Sequence, residues 1–372
     1  MSVVSIVRCE TYELDAVRRA VTAALAPLGG IARFVQPGMR VLLKPNLLAA
    51  AEHEHAVTTH PTVVQAVAEQ VREAGGVVFI GDSPGGPLEV GPRVYRKSEM
   101  TAVAERTGAT LLPFDKVTWK RLNGADYFIA RPVFEADLVI NLPKLKTHNL
   151  VLYTGAVKNL FGTIPGTRKR EAHCQALGVQ DFSRVLVDVL ELIKPGLTLM
   201  DGILGQEGFG PGKSGTPHHY NCLAASTDGV ALDTVLSRAM GYRPGEILHL
   251  ALASARGLGV ADAGAIRVEG DRQVLEFGRL HLPRVGRYLR APTWVSRSLQ
   301  RAIRLRPQLD TAQCAGCGEC AEVCPPQAIV RGRPPHFDLA VCIGCMCCAE
   351  VCPQGAIKPG RNLLARWIGL GI

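Results

Sequence analysis

The chain has 372 residues, of which 47% are hydrophobic and only 5% aromatic, a balance typical of α/β proteins with large aliphatic cores. Its formal net charge of +9 is local, because residues 278–309 contain 8 arginines and no acid while residues 1–277 contain 29 basic and 28 acidic residues. This distribution argues against nucleic acid as a partner. No apolar run long enough to span a membrane and no basic secretion signal are present, so we expect a cytoplasmic protein.

Short β-rich runs alternate with helical stretches from residue 1 to residue 277. This alternation predicts an α/β domain with a mostly parallel sheet and flanking helices. The predicted strands are 3–7, 40–44, 77–81, 138–141 and 197–200, and the predicted helices are 14–25, 61–74, 182–192 and 229–239.

Polar residues follow four of the predicted strands, where ligands bind in open α/β sheets. Any one of them could be a solvated loop charge or a helix cap, but together they suit an anionic substrate, with lysines for charge and Asp or His for proton transfer. The catalytic candidates are Lys44, Asp82, Lys144, Lys146, His148 and Asp201, and the ligand-binding candidates are Asn46, Ser83, Gly85, Asn141, Lys158 and Asn159. A carboxylate, a phosphate and a divalent metal held by Asp82 and Asp201 all remain open. We expect Lys44, Lys144 and Lys146 to converge in one pocket near these two aspartates.

Two glycine-rich segments lie in the same domain. The turn GDSPGG at residues 81–86 could cradle a phosphate, but it has neither the spacing nor the lysine of a nucleotide-binding loop. Residues 205–215 contain five glycines and form either a flexible lid or an ordinary long connection.

Several blocks occur in order along residues 1–250: VLLKPNLL, TTHPTVV, GDSPGG, NLPKLKTH, TGAVKNLFGTIPG, MDGILGQEGFGPG and STDGVALD. Together they resemble the family called domain of unknown function 362, whose members often carry a C-terminal pair of [4Fe-4S] motifs. Besides candidates already named, the resemblance implies roles for Gly202, Asp228 and Asp233. For the last two we prefer capping or ion pairing of their helix.

The arginine-rich connector at residues 278–309 separates this domain from the cysteine motifs. On a helix, Val295, Leu299 and Ile303 share one face and arginines occupy the opposite face. Such a helix either packs on the domain seam, which we favour, or lies peripherally on the inner face of an anionic membrane. The tail at residues 361–372 adds apolar surface that suits either arrangement.

Two CxxCxxCxxxCP motifs occupy residues 310–360 and form a repeat of about 28 residues. The spacing is typical of proteins that bind two [4Fe-4S] clusters, in which the fourth cysteine of each motif ligates the other cluster. Zinc or disulfides suit this doubled pattern poorly. The region resembles bacterial two-cluster ferredoxins, a small α+β fold. The expected ligands are Cys314, Cys317, Cys320 and Cys352 for one cluster and Cys342, Cys345, Cys348 and Cys324 for the other.

Cys347, an additional thiol between two of these ligands, is a spare ligand or, as we favour, a small buried apolar residue.

Three functions fit these features. The chain could be an iron-sulfur oxidoreductase that passes electrons between its clusters and a small anionic substrate in the α/β domain, which we favour. It could instead be an electron-transfer ferredoxin whose α/β domain docks a redox partner protein. A non-redox enzyme that uses clusters for stability or sensing is the third hypothesis.

Overall fold

The structure is a computed structural model that describes residues 1–175, 178–283 and 305–360. In chain order the strands are β1 Ser2–Arg8, β2 Arg40–Pro45, β3 Val77–Ile80, β4 Thr110–Leu111, β5 Val117–Leu122, β6 Ala125–Ala130, β7 Leu138–Leu142, β8 Lys144–His148, β9 Leu152–Thr154, β10 Leu197–Gly208, β11 Gly215–Ser226, β12 Ile266–Gly270, β13 Arg306–Leu309, β14 Ile329–Val330, β15 His336–Phe337 and β16 Ile357–Gly360. The α-helices are α1 Leu14–Leu25, α2 Pro61–Glu73, α3 Gly91–Lys97, α4 Met100–Thr107, α5 Pro132–Glu135, α6 Ala156–Asn159, α7 Arg168–Gln175, α8 Val179–Ile193, α9 Gly229–Ala239, α10 Leu248–Ala255, α11 Glu319–Glu322 and α12 Cys347–Val351.

One large sheet organises the N-terminal domain, with the order β12-β1-β11-β10-β7-β2-β3-β4 and with β8 and β9 attached beside β10. The strands β10, β7, β2, β3 and β4 run parallel to one another, and only β11 and β9 are antiparallel to their neighbours. The predicted α/β class with a mostly parallel sheet is therefore confirmed. The parallel order brings the carboxyl ends of β2, β3 and β7 to one edge, where β8 begins.

Apolar cores cover both faces of the sheet. Helices α1 to α4 pack on one face, where Val17, Val21 and Leu25 of α1 share a buried stripe, and α6, α8, α9 and α10 pack on the other. Proline at the first position of α2 and the ring of His60, which accepts a hydrogen bond from the Thr62 amide, fix where that helix starts. No helix in these ranges is long and apolar enough to cross a membrane.

Two predicted loops have regular structure instead. Residues 144–148 form the fully buried strand β8, because they pair with β10 on one side and β9 on the other. The predicted glycine-rich lid is part of the long hairpin of β10 and β11: residues 205–208 and 215 lie in its strands, and residues 209–214 form its loop. The hydrogen bonds of this hairpin outweigh the conformational freedom of its glycines.

The cysteine-rich domain is small and is built from the repeat. Strands β13 and β16 pair antiparallel, as do β14 and β15, and helices α11 and α12 occupy equivalent places in the two halves. Most of the arginine-rich connector, residues 284–304, and the whole tail at 361–372 lie outside the described residues, so the predictions for them stay predictions.

Candidate functional site

Lys44 and Asp82 form a buried ion pair at the sheet edge. Lys44 Nζ lies 2.7 Å from Asp82 Oδ1, and the two side chains are 0% and 3% exposed. Lys44 also donates to the carbonyl of Pro45, while Asp82 Oδ2 accepts from the Leu47 amide. Burial lowers the pKa of Lys44, although the Asp82 carboxylate opposes this effect. The pair fixes the end of β2 against the turn that follows β3.

Lys144 and Asp201 form a second, separate pair. Lys144 Nζ donates to Asp201 Oδ2 at 2.8 Å and to the Tyr12 hydroxyl at 2.8 Å, and this hydroxyl donates to Asp201 Oδ1 at 2.8 Å. The His60 amide also donates to Asp201, and the His60 ring stacks on Tyr12 with 3.6 Å between the ring centroids. Because its members are bonded to one another, this network is suited to holding the chain segments before α1 and α2 on the sheet.

Lys146 is completely buried, and no carboxylate accepts a hydrogen bond from its ammonium group among the described residues. It donates to Asn46 Oδ1 at 2.6 Å and to the Val57 carbonyl at 2.8 Å. Burial lowers the pKa of Lys146 well below its usual value, and the charges of Lys158 and Lys144 lower it further. The expectation that Lys44, Lys144 and Lys146 converge in one pocket is therefore wrong, although the predicted edge of the sheet is correct. All three are buried at the predicted edge, but each is bonded within the protein and none lines the cavity found there.

That cavity has a volume of about 80 Å³, enough for several waters or a small ligand, and it lies between the two domains. The α/β domain contributes Asp82, Ser83 and Gly85 of the predicted turn, Asn46, Lys158 and Asn159, together with Lys169, Arg170 and His173 of α7. The cysteine-rich domain contributes Val323, Cys347, Glu350 and Val351.

Two lysines line the cavity, and their surroundings differ. Lys169 Nζ donates to the Ser83 carbonyl at 2.6 Å, to Ser83 Oγ at 2.8 Å and to the Pro84 carbonyl at 2.9 Å. The Lys158 ammonium lies over the rings of Phe161 and Phe182, at 5.8 and 5.9 Å from their centroids. No hydrogen-bond partner of Lys158 occurs within the described parts of the chain. Burial lowers the pKa of Lys158, and the nearby Glu350 carboxylate opposes this effect.

His173 also lines the cavity without a hydrogen-bond partner among the described residues. It is 6% exposed, and its ring stacks on Phe182 with 4.5 Å between the centroids. Burial lowers the pKa of His173 to about 4, so the imidazole is neutral near pH 7. Two further buried acceptors on lining residues, Thr154 Oγ1 and Asn159 Oδ1, have no partner in the described structure. Buried polar atoms of this kind indicate that the cavity takes a polar ligand or ordered water.

Glu350 contributes a carboxylate from the cysteine-rich domain to the lining of the cavity. Its Oε1 lies 3.3 Å from Nε2 of His148, whose Nδ1 accepts from the Leu150 amide. Burial alone would raise the pKa of Glu350, but His148 and Lys158 lower it to about 2. Burial lowers the pKa of His148 to about 4. His148, predicted as a catalytic residue, is thus fixed between its own backbone and the second domain.

The cysteine-rich domain packs on the turn GDSPGG. A Cβ on Gly85 would lie 3.1 Å from Val351 Cγ1, and one on Gly86, whose φ is +115°, would lie 3.5 Å from Val323 Cγ1. Val323 and Val351 are 28 positions apart and belong to the same repeated string, AEVCP. Equivalent valines of the two half-domains therefore pack on adjacent glycines.

The loop at residues 209–214 also holds the second domain. A Cβ on Gly212 would lie 2.7 Å from the Glu350 carbonyl, and Lys213 Nζ lies 2.9 Å from Glu52 Oε2. The loop is packed between the domains, which is a different position from that of a lid over an open site.

Eight cysteines line two small cavities in the cysteine-rich domain. Cys314, Cys317, Cys320 and Cys352 line one, and Cys324, Cys342, Cys345 and Cys348 line the other. No disulfide joins cysteines in the described residues. Four thiols around a void fit a [4Fe-4S] cluster, and Cys324 and Cys352 each lie with the cysteines of the other motif. Cys347 belongs to neither set. It lines the cavity of about 80 Å³ between the two domains, which we call the junction cavity.

The remaining candidates have structural roles. Asp228 caps α9 by accepting from the amides of Val230 and Ala231. Asp233 accepts from the amides of Ala156 and Val157, so it caps the neighbouring helix α6 and not its own.

A single bound metal ion gains no support from the part of the chain that the structure describes. No group of three or more His, Cys, Asp or Glu side chains there is arranged to hold one, and Asp82 and Asp201 bind lysines instead. Asn141 is also internal, since it bonds the Ala156 carbonyl and Asn159.

Sequence reasoning missed Lys169, His173 and Glu350. They lie outside the strand ends that it inspected, and Glu350 belongs to the second domain. The basic string TRKREAH before α8 was the available signal for the first two.

Comparisons with known proteins agree with this two-part organisation. Residues 41–238 match the family described as Domain of unknown function (DUF362), and residues 306–353 match the 4Fe-4S dicluster domain. The Thylakoid-associated protein sll1697 of Synechocystis sp. is 38% identical over 263 residues, which are 68% of this chain and 79% of that protein.

Two solved structures match part of this chain. The lactate racemase apoprotein of Thermoanaerobacterium thermosaccharolyticum matches 61% of this chain and 57% of its own, with a TM-score of 0.40 and 13% identity. A structural genomics protein from Thermotoga maritima matches 60% of this chain and 57% of its own, with a TM-score of 0.37 and 12% identity. The match thus spans less than two thirds of either structure.

Proposed function

This chain belongs to the DUF362 family and carries an iron-sulfur domain, and on that premise we propose that it is an oxidoreductase whose small anionic substrate binds in the junction cavity. One observation carries the proposal. Lys158, a cation without a hydrogen-bond partner in the described structure, lines the same cavity as Cys347 of α12, a residue that stands between cluster-ligand candidates. The iron-sulfur domain would then form part of the wall of the substrate cavity, which suits direct electron transfer.

The residues around the cavity have distinct roles in this proposal. Lys158 binds the anionic group of the substrate, and the Phe161 and Phe182 rings hold its ammonium in place. Val323 and Val351 close one side and exclude water, which strengthens the electrostatic attraction between Lys158 and the anion. Two [4Fe-4S] clusters, held by the two sets of four cysteines, would supply one-electron transfer when bound.

The test compares Lys158→Met with a matched control, Lys120→Met, which removes an exposed lysine of the β5–β6 hairpin. Both variants should keep the iron content and visible spectrum of the anaerobically reconstituted protein, because no cluster-ligand candidate is changed. Binding of acetate and phosphate, followed by calorimetry, should be at least about tenfold weaker for Lys158→Met and unchanged for Lys120→Met, since a hydrogen bond to a charged group contributes about 1.5–3 kcal/mol. Equal anion binding by both variants would favour the docking function for the α/β domain.

We also propose peripheral membrane contact through residues 278–309. The 8 arginines and the absence of acids in this segment support it, as does the similarity to the Thylakoid-associated protein sll1697.

A further inference from the structure

The glycine-rich turn is poorly suited to phosphate, because most of its amides are already bonded. The Asp82 amide donates to the Tyr95 hydroxyl at 2.9 Å, the Ser83 amide to the Gly162 carbonyl at 3.1 Å and the Gly85 amide to the Leu48 carbonyl at 2.8 Å. Phosphate sites in glycine-rich turns depend on several unbonded amides that point at the ligand. The amides of this turn instead fix it to neighbouring parts of the α/β domain.

Lys169 offers no unused donor to a multivalent oxyanion. The three hydrogen bonds of Lys169 use all three protons of its ammonium group. Arg170 donates to the Glu322 carbonyl at 3.4 Å, so part of its guanidinium faces the second domain. Lys158 therefore supplies the one ammonium with unused donors among the cavity-lining lysines of the described structure.

Part of the cavity lining is apolar. Leu48 of the α/β domain faces it together with Val323 and Val351 of the cysteine-rich domain. A hydrated inorganic anion gains nothing from such a wall, whereas a hydrocarbon group gains about 0.8 kcal/mol for each buried CH₂. Next to Lys158, the neutral and unpartnered His173 can donate or accept one further hydrogen bond.

We propose that the ligand of this cavity is a small organic carboxylate, with its carboxylate group on Lys158 beside His173 and its hydrocarbon part against Leu48, Val323 and Val351. This inference rests on the proposed function, because it identifies the chemical class of the anion that the junction cavity takes. The volume of about 80 Å³ restricts the ligand to a few carbon atoms.

The experiment measures the affinity of the reconstituted full chain for acetate, propionate, butyrate, phosphate and sulfate by calorimetry at one pH and ionic strength. Affinity should rise about fourfold with each CH₂ from acetate to butyrate, which is the factor that corresponds to the burial of one methylene. Phosphate and sulfate should bind no more tightly than acetate.

Leu48→Ala provides the specific perturbation, because it shortens the apolar wall and changes no residue of the cysteine motifs. It should reduce the increment per CH₂ along the series acetate, propionate and butyrate. Val77→Ala, which shortens an exposed valine of β3, is the matched control and should keep the full increment.

The outcomes separate this inference from the proposed function. Tighter binding of phosphate or sulfate, or equal affinity along the carboxylate series, would overturn the carboxylate class but leave an anion site at Lys158. If none of the five anions bound, or if Lys158→Met bound them all normally, both proposals would fail.

Discussion

Replacement of Gly162 by alanine should separate the buried Lys44–Asp82 pair. An ideal Cβ at this position would lie 2.2 Å from Asp82 Oδ1 and 2.7 Å from Lys44 Nζ, and these two atoms are themselves only 2.7 Å apart. A methyl group needs roughly 3.5 Å to its neighbours, so the ion pair must open by about 1 Å or more. A buried charge left without its partner typically costs about 3–5 kcal/mol, and we expect the separation of this pair to lower the free energy of unfolding by up to that amount.

The assay is urea unfolding followed by circular dichroism, with Gly91→Ala as the matched control. A Cβ at Gly91, the first residue of α3, meets no atom within 4 Å, so this change should alter the free energy of unfolding by less than about 1 kcal/mol. In a background where Lys44→Met and Asp82→Asn already remove the pair, Gly162→Ala should cost much less, because the two sites are coupled. If Gly162→Ala were within about 1 kcal/mol of the natural protein, the pair would not lie tightly beneath this glycine.

Three further expectations follow from the site. Anaerobic reconstitution should load about eight irons per chain. Cys320→Ser should reduce this number, whereas Cys347→Ser should not. Stoichiometric zinc in place of iron would contradict the ligand assignment. Burial lowers the pKa of Lys169 from 10.5 to about 7, so the unfolded chain binds more protons between these values and the free energy of unfolding should rise with pH across them. Urea unfolding at several pH values checks this, since Lys169→Met should flatten the slope. Vesicles rich in anionic lipid should retain the protein at low salt and release it at high salt if residues 278–309 contact membranes, and equal retention by neutral vesicles would contradict this.

The sequence predicted the sheet and its functional edge because both depend on local signals. The β-rich runs that end at Lys44, Asn141 and Met200 identify the strands, and parallel strands necessarily bring their carboxyl ends together. The cysteine spacing is likewise a local pattern with one common chemical use.

The identity of the cation that faces the cavity could not be predicted in the same way. Lys146 follows the predicted strand 138–141, and its burial depends on the pairing of β8 with β10, a contact between residues about 60 positions apart. Whether a lysine is bonded or available is decided by such distant neighbours. The same holds for Glu350, which reaches the site only because the second domain docks on Gly85 and Gly86.

The repeated AEVCP strings also show where the two half-domains differ. A duplicated half-domain is nearly two-fold symmetric, but the surface on which both halves sit is not. Position 319 of the first half holds a glutamate that lies 2.8 Å from Arg93, whereas the equivalent position 347 of the second half holds a thiol at the cavity wall. The copies therefore differ at a position where their surroundings differ. A ferredoxin grafted in place of this module would have to keep the same orientation on the host surface, since reversed halves would replace the Cys347 thiol at the cavity wall with a carboxylate.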